Sequence, residues 1–177
     1  GKGAPLDPKA DAATAFAGGR AMLRLGFSRL GREWSEADVD ADFPLLLKAY
    51  AEDIDRHTRL YPGAVEAVEA LRQRGDRVGI CTNKPMGPTR SVLQHFALDR
   101  LFPVVVGGDS LPQRKPDPAP YLQAMRALGV EPAECVVIED SLVGVTAGLA
   151  AGAAVLGVAG FQPVHGAQDR LGPVADL

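Results

Sequence analysis

The stretch "VVIEDSLVGVTAG", residues 136–148, runs from an apolar triplet through two adjacent acids into a series of small residues. The triplet is typical of a buried strand, and the small residues after Ser141 suit a closely packed helix. Glu139 and Asp140 stand at the junction, where burying unpaired charges would be costly. The stretch therefore predicts a strand whose carboxyl end presents two carboxylates, followed at once by a helix.

Strand-like and helical segments alternate on both sides of this junction, from about residue 61 to 160. Helical patterns end at Gly75 and Gly129, which are typical helix stops. Short apolar segments lie between the helices at 77–82, 102–108, 135–140 and 153–159. The alternation predicts an α/β fold with a Rossmann-like parallel sheet covered by helices.

The first sixty residues have a different, helical pattern. Ser35 suits a helix N-cap, and apolar residues follow it at three- and four-residue steps: Val39, Phe43, Leu46, Leu47, Tyr50 and Ile54. An earlier helix, interrupted or weakened by Gly18 and Gly19, is indicated by Phe16, Leu23, Phe27 and Leu30. We therefore expect a helical domain over 1–60 and an α/β domain over 61–177.

Composition and net charge argue against a nucleic-acid-binding protein and against a membrane-spanning one. The 177 residues are 46% hydrophobic and carry a net charge of −3, with no basic block that would attract nucleic acid and no apolar segment suited to spanning a membrane. Cys81 and Cys135 lie in apolar strand segments, as buried thiols do. We expect a cytoplasmic protein in the reduced state, either a monomer or a homodimer, whose partner is a small molecule.

Polar residues follow three of the predicted strands. Thr82 and Asn83 end one, Lys115 lies in the loop after the next, and the two acids end the third. Ligands bind outside the carboxyl ends of strands in an open parallel sheet. A hydroxyl and backbone amides suit a phosphate, and carboxylates suit Mg²⁺. Each feature alone could be a turn, a solvated lysine or a helix cap. Together they predict a phosphate site.

These segments resemble the motifs of the haloacid dehalogenase-like phosphohydrolases over about residues 61 to 160. The resemblance rests on "CTNKP" at 81–85, "GGDSLPQRKPDPAPYL" at 107–122 and "VVIEDSLVGVTAGLAAG" at 136–152. The lysine segment is particularly similar to that of bacterial phosphoglycolate phosphatases, and the helical first third resembles part of their α-helical cap. The resemblance implies a Mg²⁺-dependent hydrolase of a small phosphorylated metabolite, most similar to those acting on 2-phosphoglycolate.

The resemblance also implies a role for each strand-end residue. Thr82 and the Asn83 amide would bind phosphate, and Lys115 would stabilise the phosphate and the nucleophile by its charge. Asp140 would bind Mg²⁺, with Glu139 binding it directly or supporting it from behind. Phosphoglycolate phosphatases often carry a second acid where this chain has Gly144. The Glu-Asp-Ser-x-x-Gly form is more similar to that of β-phosphoglucomutases and related sugar phosphatases.

The family's nucleophile motif, Asp-x-Asp-Gly-Thr at the end of a first strand, does not occur in this sequence. Two Asp-x-Asp triplets, at 38–40 and 53–55, fall in the helical pattern and are expected to be solvated helix faces. Asp109 follows a strand but is a better candidate for a structural turn cap. In the family the first strand lies between the strands ending at Thr82 and at Asp140. We therefore expect either that a segment ahead of Gly1 supplies that strand or that this chain is a fragment that cannot catalyse.

Three functions stay open at this point. The first is a Mg²⁺-dependent phosphomonoesterase of the phosphoglycolate phosphatase type, which forms an aspartyl-phosphate on an Asp outside this sequence. The second is a catalytically incomplete phosphate-binding or regulatory domain. The third is a β-phosphoglucomutase-like phosphosugar mutase or phosphatase, which would use the same residues.

Overall fold

The computed structural model describes residues 4–7, 9–11, 14–15, 17–53 and 58–158. Among these residues, the helices α1 and α2 come before residue 60, and strands and helices alternate after it. Their bounds are α1 Gly19–Ser28, α2 Glu36–Glu52, α3 Ala64–Gln73, β1 Gly79–Cys81, α4 Met86–His95, β2 Val104–Val106, α5 Ala119–Leu128, β3 Val136–Glu139, α6 Leu142–Ala150 and β4 Ala154–Gly157. The predicted α/β class is confirmed, with strands shorter than the apolar segments suggested.

The four strands form two separate parallel pairs. β1 pairs with β2, from Gly79 opposite Val104, and β3 pairs with β4, from Val136 opposite Ala154. Within the described residues no ladder joins the two pairs, so β1 and β3 each have one edge without a neighbouring strand. The hypothesis that a further strand belongs between them stays a prediction.

One core nevertheless spans both pairs, because α5 packs against the strands of one pair and against α6, which covers the other. Its buried members are Tyr121, Met125, Val137, Ala147, Ala151 and Ala153, and Cys81, Cys135 and Val155 pack against them. Burial raises the pKa of the Cys81 thiol to about 11. A neutral buried thiol is inert, which agrees with the predicted structural role of this cysteine.

The alternation of β3 corrects one expectation. Val137 is only 6% exposed, but Val136 and Ile138 are 65% and 59% exposed. The apolar triplet was expected to be buried throughout. Successive side chains of a strand point to opposite faces, and only the face carrying Val137 is covered by α6 among the described residues. The strand itself was predicted correctly, and its second face is open.

The two early helices pack closely on each other. Ser35 begins α2 as predicted, its backbone N–H donating to the Asp38 carboxylate at 2.9 Å. Phe27 and Val39 are almost fully buried. The interruption predicted at Gly18 and Gly19 is confirmed, because residues 14–15 are helical, residues 17 and 18 are not, and α1 begins at Gly19. A Cβ on Gly19 would lie 2.9 Å from Leu46, so α1 approaches α2 closely at this point. Phe16 and Ile54, included in the helical prediction, lie outside the described residues.

No described helix has both the length and the apolar character needed to cross a bilayer. The division into a domain over 1–60 and another over 61–177 stays a prediction.

Candidate active site

The end of β1 is held against the loop that follows β2. Gly108 donates its backbone N–H to the Lys84 carbonyl at 2.8 Å. A Cβ at Gly108 would lie 2.0 Å from the Asn83 carbonyl oxygen, so only glycine permits this approach. The Thr82 hydroxyl accepts the Lys84 N–H at 3.1 Å, which fixes the turn after the strand. Two strand ends of the first pair are therefore joined into one surface.

The Asn83 side chain connects this surface to Lys115. Its amide nitrogen donates to the Lys115 carbonyl at 3.0 Å, and its amide oxygen accepts the Lys115 backbone N–H at 3.1 Å. This reciprocal pair sets the backbone from which the Lys115 side chain extends. The sequence predicted a phosphate-binding role for the Asn83 backbone amide; the contact made by its side chain was not predicted.

The Lys115 side chain crosses from one strand pair to the other. Its ammonium donates to the Cys81 carbonyl of β1 at 3.2 Å and to the Glu139 carboxylate of β3. It also lies over the Tyr121 ring, 5.4 Å from the ring centroid. An ammonium has three N–H groups, and described residues of the protein engage two of them, which leaves one for a ligand. Lys115 and Glu139 are 9% and 8% exposed, which shields their interaction from water.

Glu139 is surrounded by donors. Oε1 accepts from Lys115 and from the Tyr121 hydroxyl, the latter at 2.5 Å, while Oε2 accepts from the Ser141 hydroxyl at 3.0 Å. Burial alone would raise the pKa of Glu139, but the hydrogen bonds from Lys115, Tyr121 and Ser141 outweigh it and hold the pKa below its usual value. The carboxylate is therefore charged and directed into the protein.

Gly144, in the first turn of α6, makes room for this carboxylate. A Cβ at position 144 would lie 1.9 Å from the Glu139 carboxyl carbon. The departure noted in the sequence thus has a steric cause, since Glu139 occupies the space that any side chain at 144 would enter. Glu139 and Gly144 form a matched pair in this chain.

Asp140 differs from its neighbour. It is exposed, and within the described part of the chain its carboxylate has no hydrogen-bond or ion-pair partner. No three His, Cys, Asp or Glu side chains gather as a metal cluster among those residues. Mg²⁺ commonly retains waters and is held by one or two carboxylates plus a substrate phosphate. Asp140 fits such an ion, whereas both Glu139 oxygens are occupied by protein donors.

The other aspartates of interest have structural positions. Asp109 accepts the N–H of Met86, the first residue of α4, at 2.8 Å, so the predicted turn cap is confirmed. Asp38 and Asp40 lie in α2, where Asp40 is ion-paired with Arg20 at 2.5 Å. Asp53 is exposed at the end of α2, and Asp55 lies outside the described residues.

A cavity of about 770 Å³ opens above these residues. We call the five residues Thr82, Asn83, Lys115, Glu139 and Asp140 the strand-end cluster; all of them line this cavity. The opposite side, which we call the helical wall, consists of Gly19, Arg20, Met22, Phe43, Leu46, Leu47 and Tyr50. The apolar face predicted for α2 is therefore partly a cavity wall. The cavity places a polar cluster opposite a largely apolar surface.

One direct contact joins the two sides of the cavity. The Lys84 ammonium donates to the Tyr50 hydroxyl at 2.5 Å and lies 4.8 Å from the centroid of the Tyr50 ring. Lys84 belongs to the turn after β1, and Tyr50 to the last part of α2. The contact links the helical wall to the turn after β1 at this end of the cavity.

Comparison with known proteins agrees with this geometry. The family model described as haloacid dehalogenase-like hydrolase matches residues 3–152. The chain belongs to this family. A phosphoglycolate phosphatase of Rhodospirillum rubrum is 38% identical over 157 residues, covering 86% of this chain and 65% of that protein. The chain thus spans less than two thirds of that relative's length.

Solved structures of the haloacid dehalogenase-like family share the fold. A predicted phosphoglycolate phosphatase from Haemophilus somnus 129PT has a TM-score of 0.75 at 29% identity, covering 86% of this chain and 68% of that one. β-Phosphoglucomutase from Clostridium difficile has a TM-score of 0.74 at 21% identity, covering 88% of this chain and 70% of that one. The second likeness concerns the fold alone.

Two contributors to this family site were not identified from the sequence as site residues. Tyr50 was predicted to lie on the apolar face of α2, and Tyr121, which lies on the apolar side of α5, was given no role. Both rings do lie on those faces, but each hydroxyl reaches a charged group. A buried tyrosine hydroxyl requires a partner, which is the signal that could have singled out Tyr121.

Proposed function

We propose that the protein is a phosphomonoesterase of the haloacid dehalogenase-like family, acting on a small phosphorylated metabolite with 2-phosphoglycolate as the favoured substrate. The observation that carries the proposal is the Lys115 ammonium, fixed by a carbonyl of β1 and a carboxylate of β3 with one N–H unengaged. Lys115 and the exposed Asp140 line the same cavity. The R. rubrum relative named phosphoglycolate phosphatase supports the substrate class.

The residues of the strand-end cluster have distinct roles in this proposal. The Asn83 backbone amide and the Thr82 hydroxyl bind phosphate oxygens, and Lys115 stabilises the negative charge that develops during phosphoryl transfer. Asp140 would hold Mg²⁺, which supplies positive charge to the phosphate when bound. Glu139 orients Lys115 from behind. All of these roles concern binding and charge, because none of these side chains attacks phosphorus.

The nucleophile in the proposal is an aspartate on a strand placed between β1 and β3. Both strands have an edge free of pairing among the described residues, and these edges belong to parallel strands. A carboxylate on that strand would attack phosphorus as the P–O ester bond breaks, and the second Asp of the same motif would donate a proton to the leaving oxygen, which departs as an alcohol. Water, deprotonated by that second Asp, would then hydrolyse the aspartyl-phosphate to orthophosphate and restore the carboxylate. The reading frame ahead of Gly1 is where such a strand, with Asp-x-Asp-Gly-Thr, is expected.

The experiment is a phosphate-release assay of the complete gene product with 2-phosphoglycolate and p-nitrophenyl phosphate, with Mg²⁺ and with EDTA. Release of orthophosphate that requires Mg²⁺ is expected for both esters, with 2-phosphoglycolate having the larger kcat/KM. A complete product that hydrolyses no ester in a broad panel would overturn the proposal. An absence of Asp-x-Asp-Gly-Thr upstream would favour a non-catalytic phosphate-binding domain.

A second function is favoured by the pairing of Glu139 with Gly144. The Glu-Asp-Ser-x-x-Gly form of this segment is similar to that of phosphosugar mutases. In those proteins the additional carboxylate comes from the position that Glu139 occupies in this chain. A mutase would move phosphate between hydroxyls of one sugar. Incubation with β-glucose 1-phosphate distinguishes the two, because a mutase yields glucose 6-phosphate and a phosphatase yields orthophosphate.

A further inference from the structure

Tyr121 stands in α5, six residues after Lys115, and its side chain is 7% exposed. Its ring packs in the core beside Met125 and Val137. Its hydroxyl donates to Glu139 Oε1 at 2.5 Å. Burial and this hydrogen bond raise the pKa of Tyr121 far above its usual value, so the phenol keeps its proton. Tyr121 is therefore a fixed neutral donor behind the cavity.

The same carboxylate oxygen also accepts from Lys115. The Tyr121 hydroxyl offsets part of the negative charge that Oε1 presents to the Lys115 ammonium, so the Coulomb attraction between Lys115 and Glu139 is weaker than it would be without Tyr121. The Ser141 hydroxyl accounts for the other oxygen, at 3.0 Å. Without the Tyr121 hydroxyl, the undiminished charge of Oε1 would act on the Lys115 ammonium, which is largely shielded from water. A stronger ion pair would leave Lys115 less able to attract an anion from the cavity.

We propose that Tyr121 is a positioning residue for anion binding: by sharing Glu139 Oε1 with Lys115, its hydroxyl keeps the Lys115 ammonium available to a phosphate group. The inference rests on the proposed phosphate site. Tyr121 itself does not touch the ligand, and it is absent from the residues that line the cavity. Its effect passes through Glu139, and this indirect route makes a specific prediction for a double-mutant cycle.

The test measures orthophosphate binding to the complete gene product by calorimetry, in buffer with EDTA. Tyr121→Phe removes one oxygen atom and leaves the buried ring. We expect the Kd for orthophosphate to rise about fivefold to tenfold, part of the effect of one hydrogen bond to a charged group. Ser91→Ala is the matched control, because it also removes a single hydroxyl, one that is exposed on α4 and bonded to the Gly87 carbonyl. Its Kd should equal that of the wild type.

The cycle is completed in a Glu139→Gln background. If Tyr121 acts through the charge of Glu139, Tyr121→Phe should change the Kd there by less than about twofold. If Tyr121 contributed only to packing, Tyr121→Phe would lower the stability towards urea in both the wild-type and the Glu139→Gln backgrounds. It would then change the Kd for orthophosphate in neither background. An equal rise of Kd in the two backgrounds would show that Tyr121 acts independently of Glu139. Either of these last two results overturns the inference.

A second readout requires no ligand. The ¹⁵N–¹H signal of the Lys115 ammonium reports its hydrogen bonding, and we expect its protons to exchange with water about threefold more slowly in Tyr121→Phe, because the ion pair is tighter. If the Lys115 ammonium protons exchange with water at the same rate in the wild type and in Tyr121→Phe, the inference is overturned, even if orthophosphate does not bind. A wild type that binds no orthophosphate but shows slower exchange in Tyr121→Phe would contradict the proposed function alone.

Discussion

The two sides of the cavity are built on different principles. In the strand-end cluster, three polar residues are fixed by partners that are distant in the sequence: Asn83 by the Lys115 backbone, and Lys115 and Glu139 by each other. In the helical wall, apolar side chains of α1 and α2 face the open space, and the ion pair of Arg20 with Asp40 is exposed. The side chains of the strand-end cluster are held in positions that suit the binding of a charged group, whereas the helical wall offers a largely apolar surface whose shape the substrate has to fit. This difference predicts that changes in the cluster alter turnover and that changes in the wall alter substrate affinity.

The largest effect is expected for Lys115→Ala in the complete gene product. Loss of the buried ammonium removes charge stabilisation from the phosphate and leaves Glu139 without its counterion. We expect kcat/KM for 2-phosphoglycolate to fall by about two to three orders of magnitude. Lys48→Ala is the control, since Lys48 lies in α2 with its side chain 75% exposed. An activity in Lys115→Ala within threefold of the control would remove Lys115 from the site.

A smaller effect is expected for Gly144→Ala, which tests the matched pair of Gly144 and Glu139. The added Cβ would clash with the Glu139 carboxyl group and displace it from Lys115 and Tyr121. We expect the free energy of unfolding to fall by about 1–3 kcal/mol, as measured by urea denaturation. The variant Gly87→Ala is the control, because a Cβ at that position meets no atom within 4 Å. Equal stability of the two variants would contradict the steric account.

The helical wall should respond differently. Leu46→Ala removes apolar contact from the cavity without touching the cluster, so we expect the KM for 2-phosphoglycolate to change by up to about fivefold while kcat stays within about twofold. Steady-state kinetics of the complete gene product measure both constants. A loss of kcat comparable to that of Lys115→Ala would break the distinction between the two sides.

The smallest effect concerns an ion pair beside the wall. Arg29 donates to both oxygens of Asp11, at 2.7 Å each, and lowers the pKa of Asp11. Because the folded pKa is lower, this stabilisation is complete above the ordinary pKa of 3.8 and is lost as the pH falls through the folded value. We expect Asp11→Asn to lower the melting temperature at pH 7 but to have progressively less effect below about pH 4. A difference in melting temperature between the wild type and Asp11→Asn that stays the same at every pH would contradict this explanation.

Sequence patterns were sufficient for the alternation of strands and helices, because periodicity and glycine stops are local properties. They also led to all five residues of the strand-end cluster, since polar side chains at the ends of parallel strands share one edge of a sheet. The contacts among these residues could not be predicted from sequence patterns. The pairing of Asn83 with Lys115 joins residues that are 32 positions apart, and the Tyr121 hydroxyl reaches Glu139 across 18 positions. Periodicity contains no information on such distances.

The faces of two elements were misjudged for a related reason. Apolar periodicity in α2 and apolar composition in β3 predict contact with other apolar atoms, but they do not say whether those contacts are complete. Leu46 and Leu47 line a cavity, and Ile138 is 59% exposed. Whether an apolar face is covered depends on the neighbouring elements, which only the assembled structure gives.

We propose that strand ends from two separate parallel pairs form one phosphate site. A titration of the complete ¹⁵N-labelled gene product with orthophosphate, followed by amide ¹⁵N–¹H spectra, tests this proposal. We expect the signals of Thr82 and Asn83 to shift together with those of Lys115 and Asp140, with a single Kd, and we expect Lys115→Ala to abolish all of these shifts. Shifts confined to one strand end, or a response that survives in Lys115→Ala, would contradict it.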